Sequence, residues 1–187
     1  MKTAPMTESS PDLTGVPASI IEFSTQAVAY VERSVGVPPT FDSETLPLVD
    51  HYLKSAKNDQ AETVALVAAT CGAYFGEVVR RALGGSWNEE GNVPSLVLPG
   101  GLTIVPMQIA QAVIIEEGVD SEQTSGSFLS APAAMRPHLE ETLSRMGEIS
   151  QREYYSLAGQ YDSLEHLQDV LLAIAAKLQE EAEKTVH

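Results

Sequence analysis

At 187 residues, 43% of them hydrophobic, the chain is long and apolar enough to bury one core. A formal net charge of −15 and a pI near 4.5 oppose contact with phosphate backbones and anionic lipid, which argues against nucleic-acid and peripheral-membrane roles. The single cysteine, Cys71, excludes an internal disulfide and a thiolate zinc cage.

Residues 1–15 mix Pro, Ser, Thr and Gly with one lysine and no apolar segment. This reads as a floppy leader rather than a secretory signal, and it sets the expectation of a cytoplasmic protein. No unbroken run reaches the 18 apolar residues of a bilayer span. Pro17 suits the first turn of a helix, and Ile20, Ile21, Ala27, Val28, Val31 and Val35 then form one stripe. Gly36 and the prolines after it stop that helix. Asp42-Ser43-Glu44 starts a shorter one through Leu46, Val49, Leu53 and Ala56.

The third helix begins at Asp59 or Gln60 and is apolar all round, which predicts a central, buried element. Cys71 on it reads as a small buried hydrophobe. Gly72 and Gly76 share one face, and two glycines in a helix cost roughly 1 kcal/mol each relative to alanine. Close approach of another backbone or of a ligand is the expected compensation. Glu77 and Arg81 stand at i,i+4, the spacing of a helical ion pair, while Arg80 and Arg81 suit the helix dipole.

Gly84-Gly85 ends that helix and Trp87 opens an extended segment. Ser95–Leu98 and Leu102–Val105 flank Pro99-Gly100-Gly101 as strands around a turn. Pro106 opens a helix to Glu117, which Gly118 stops. Residues 118–130 read as a polar loop. Residues 131–187 read as a helical hairpin, interrupted at Gly159, whose last helix is started by an Asp162–Glu165 capping box. Leu164, Leu167, Leu171, Ile174 and Leu178 give that helix a narrow seam, which packs either on the body or on a second copy. The fold expected is α+β, mainly α-helical, with a two- or three-stranded antiparallel sheet. A core over 16–117 carries the C-terminal hairpin within one domain.

Motifs that would name a reaction are absent. There is no Gly-x-Ser-x-Gly elbow, no phosphate-binding loop and no His-x-x-x-His pair, so no catalytic residue, cofactor or metal is assigned. His51, His138, His166 and His187 stand apart from one another in the chain. Tyr74, Glu77 and Arg81, at helical steps of three and four with Trp87 close behind, are the candidate ligand pocket. An internal ion pair with aromatic packing is the simpler account of the same residues. Glu116, Glu117, Asp120 and Glu122 form a candidate partner surface for a basic protein, against the simpler account of a solvated face.

The segments Gly72-Ala73-Tyr74-Phe75-Gly76-Glu77-Val78-Val79-Arg80-Arg81 and Leu83-Gly84-Gly85-Ser86-Trp87 resemble a pattern in an uncharacterised bacterial family, a domain of unknown function. Ser43 to Leu53 also resembles a segment of that family, as does the Glu153-Tyr154-Tyr155 region more loosely. The resemblance implies a bacterial origin and a fold in which an apolar helix, a short β element and a Pro-led helix succeed one another. It implies no activity. Two functions follow as expectations. The first is a non-enzymatic, protein-binding cytoplasmic protein of adaptor or immunity type, monomeric or dimeric through its last helix. The alternative is a small-molecule binder or enzyme using Tyr74, Glu77, Arg81 and Trp87.

Overall fold

The computed structural model describes residues 13–116, 129–145 and 154–185. Helix α1 (Ala18–Val35) follows Pro17 and is closed by Gly36 in the left-handed conformation, φ 81°. A 3-10 turn over Ser43–Thr45 leads into α2 (Leu46–Ser55), and the Asp42 carboxylate accepts the Thr45 N–H at its start. Helix α3 (Ala61–Leu83) runs through the middle of the molecule, packed mainly against α1 and against α4 (Pro106–Ile115). Its 23 residues reach the length and mean hydropathy of a membrane span, although no unbroken apolar run does; 67% of that window is buried inside the fold.

The glycines of α3 explain why α4 lies so close. A Cβ on Gly72 would sit 2.5 Å from Met107 Cα and 2.8 Å from its N, so the α4 backbone rests directly on the helix. At Gly76 the Trp87 ring fills the space that a Cβ would need. The expected close approach is therefore backbone at one glycine and indole at the other.

The sheet is a four-stranded antiparallel meander, β1 (Ser86–Asn88), β2 (Ser95–Val97), β3 (Thr103–Ile104) and β4 (Leu129–Ser130). It has one strand more than the two or three expected. Leu129-Ser130, at the end of what read as a polar loop, pairs with Thr103 and Ile104. Two residues are too few to show alternation, so their pairing is decided by the neighbouring strand. The turn between β2 and β3 closes through Leu98 N–H to Leu102 O, 2.7 Å, with Gly100 and Gly101 both at positive φ. Leu96 and Ile104, opposite each other, turn into the core.

Two helix ends depart from the sequence reading. Helix α4 ends at Ile115, and Glu116 rather than Gly118 takes the left-handed cap position, φ 49°. After α5 (Arg136–Arg145), helix α6 (Leu157–Thr185) runs unbroken through Gly159 and Asp162. Its start lies five residues before Asp162 and is capped differently. Ser156 Oγ accepts the Gly159 N–H at 3.0 Å, while Asp50 from α2 accepts the N–H groups of Leu157 at 2.6 Å and Ala158 at 3.2 Å. Those N–H groups are the ones that a helix leaves unpaired, and a negative charge there is favoured by the dipole. Further along α6, Gln168 Nε2 donates to Leu83 O at 2.8 Å, satisfying a carbonyl at the end of α3. Leu164, Leu167 and Leu171 are buried in the protein's own core, so this half of the α6 seam packs on the body.

Candidate functional site

Tyr74, Glu77, Arg81 and Trp87 come together where the last turns of α3 meet β1. Glu77 is 1% exposed and forms the hub. Its Oε1 accepts Trp87 Nε1–H and Arg80 Nε–H, each at 2.8 Å, and its Oε2 accepts Arg80 Nη2–H at 3.1 Å. Arg81 Nε lies 3.5 Å from the same Oε2. The expected i,i+4 pair is present, but the i,i+3 neighbour Arg80 makes the shorter, two-pronged contact. Two guanidinium groups and an indole thus compensate a carboxylate removed from water, which alone would be costly.

Tyr74 joins this hub through a residue that the sequence did not single out. The Phe41 ring stacks on Tyr74 with centroids 4.6 Å apart, and the Arg81 guanidinium lies 4.0 Å from the centre of the Phe41 ring. Phe41 itself is in the left-handed region, φ 60°, a rare conformation for an aromatic residue. Its N–H donates to Tyr74 Oη at 2.8 Å, and Tyr74 Oη lies 3.0 Å from Thr45 Oγ1. Burial holds the Tyr74 phenol above its ordinary pKa, opposed by its bonds to Thr45 and Phe41. The network runs from Thr45 through Tyr74, Phe41 and Arg81 to Glu77, and on to Arg80 and Trp87.

These bonds hold Glu77, Arg80, Arg81 and Trp87 in fixed relation to one another. Glu77 meets donors on both oxygens. The Cys71 thiol, also on α3, is fully buried, and burial pushes its pKa up to about 12, far from a thiolate nucleophile at neutral pH. Among the described residues, no three His, Cys, Asp or Glu side chains are grouped to hold a metal ion.

Of the four acids offered as a partner surface, Glu116 is seen with its Nζ partner Lys57 at 2.6 Å, both side chains well exposed. Glu117, Asp120 and Glu122 lie outside the described residues. Sequence reasoning missed Phe41, Arg80 as a ligand of Glu77, and Asp50. Arg80 could have been found, because its i,i+3 spacing to Glu77 is as favourable as that of Arg81. Phe41 and Asp50 carry no local signal, since their partners lie 33 and 107 residues away. Together the fold and the site define a mainly helical α+β protein whose central helix is tied to its sheet by a buried ionic hub. No family model, curated protein or solved structure matches the chain.

Proposed function

We propose that the chain is a non-enzymatic, cytoplasmic binding protein of adaptor or immunity type that engages a basic protein partner. The observation that carries this reading is how the charges are distributed. The chain has 11 Lys and Arg against 26 Asp and Glu. Arg80 and Arg81 are drawn to the buried Glu77, and Lys57 to Glu116. The face of α6 carries the exposed carboxylates Asp162, Glu165 and Asp169 at steps of three and four residues. An outward field dominated by carboxylates steers a basic surface toward the protein and repels acidic ones.

The test is capture from native lysate at low and high salt, with the wild-type chain beside two charge-reversed variants. One carries Asp162, Glu165 and Asp169 changed to Lys; the other carries Glu116, Glu117, Asp120 and Glu122 changed to Lys. A stoichiometric basic partner that is lost at high salt and by at least one variant supports the reading. A partner whose capture ignores both salt and charge reversal, or recovery of the bait alone, overturns it.

A further inference from the structure

A cavity of about 330 Å³ opens between α1, α3, α4 and the β1–β2 loop. Ile20 and Phe23 of α1 form one wall, Ala68 and Ala69 of α3 the floor, and Met107 and Gln108 of α4 the other wall. The rim is polar, with Ser19, Asn92 and Gln111, and Val93-Pro94 lies across it. The space exists because α3 offers only methyl groups where the helices part. Three alanines, at 65, 68 and 69, occupy adjacent positions on that face.

One wall residue is out of balance. Gln108 Oε1 is buried and has no hydrogen-bond partner among the described residues. A buried amide oxygen left unpaired is disfavoured, and interiors nearly always satisfy such groups. A largely apolar space of this volume, with an unpaired amide oxygen on a residue of its wall, has the make-up of a small-molecule site.

We propose that this cavity binds a small apolar molecule carrying a single N–H or O–H donor, which the Gln108 side-chain oxygen accepts. The apolar body lies against Phe23, Ala69 and Met107. The donor reaches Gln108 by rotation of its terminal amide, a torsion with broad freedom. Neither the residues of the Glu77 hub nor the carboxylates of the proposed partner surface line this cavity.

Indole and benzothiophene are the probes, two bicyclic molecules of nearly the same shape of which only indole has an N–H. Titration calorimetry on the full chain is expected to show saturable one-to-one binding of indole, with benzothiophene weaker by roughly tenfold. Gln108→Met, close in volume but without the acceptor, is expected to bring the two probes within about twofold of each other. Ala69→Leu, which fills the floor, is expected to weaken both by roughly tenfold or more. Amide shifts on the unmodified chain give a reading that needs no variant, and indole should move Phe23, Ala69 and the Gln108 side-chain NH2. The proposal is overturned if indole shows no saturable binding, if its shifts map elsewhere, or if Gln108→Met preserves the preference for indole.

Discussion

Glu77 and Asp50 are both carboxylates buried in the body of the protein, 1% and 7% exposed, and they are compensated in opposite ways. Glu77 sits among charged and indole donors three, four and ten residues along the chain. Asp50 sits against bare backbone, the first N–H groups of a helix more than a hundred residues away. Its carboxyl is pushed above its usual range by burial, with the bonds to Leu157 and Ala158 and the charge of Lys54 pulling the other way. Formal cations close to a carboxylate offset the cost of leaving water more fully than two amide dipoles do. The first arrangement braces α3 against the sheet, and the second pins α6 to α2.

The contrast can be broken most forcefully at Glu77. Glu77→Ala leaves Arg80, Arg81 and Trp87 without their common acceptor, and a loss of about 3 kcal/mol in urea unfolding is expected. A loss under about 1 kcal/mol would mean that the guanidinium groups turn to solvent without cost. Asp50→Ala is expected to cost about 2 kcal/mol, through two lost charge-assisted bonds at a helix start. Hydrogen exchange should then quicken at Leu157 and Ala158 while the middle of α3 stays protected. Uniform quickening would show that α6 is not separately pinned.

A third experiment uses pH. The Asp50 pKa in the folded chain lies above its ordinary value of 3.8, so the folded state holds this proton more tightly than the unfolded one. The linked stabilisation is fully present below 3.8 and is lost as pH rises through the raised folded value. Wild type minus Asp50→Asn, compared between about pH 4 and pH 7, should therefore move against the wild type as pH rises. Movement the other way would show that the two backbone bonds outweigh burial. The smallest effect is expected at the exposed Lys57–Glu116 pair. Lys57→Ala should change stability by no more than about 0.5 kcal/mol, with less change still in high salt.

Much of the helical framework was legible because its signals are local. Pro17, Gly36, Asp42 and Gly84 mark ends that chain-local rules predict, and the all-apolar stripe of α3 announces a buried helix. Half of the Glu77 hub was legible for the same reason, since residues three and four apart on a helix must meet. The start of α6 was not. Asp162 and Glu165 offer a plausible capping box, yet Ser156 and the distant Asp50 cap the helix earlier, and no spacing rule reaches across 107 residues. β4 was hidden likewise, two residues whose strand character comes wholly from pairing with β3.

The sequence by itself determined where the helices of the N-terminal body lie, that α3 is central, and that Gly72 and Gly76 invite something close. Only the tertiary structure decided what came close, the α4 backbone at one and Trp87 at the other. It also decided that Phe41 links Tyr74 to Arg81, and that Asp50 serves α6 rather than its own helix. Periodicity and capping act over a few residues and leave their mark in the chain. The partner of a buried charge or a missing Cβ is set by which surfaces pack together, and that is a property of the whole fold.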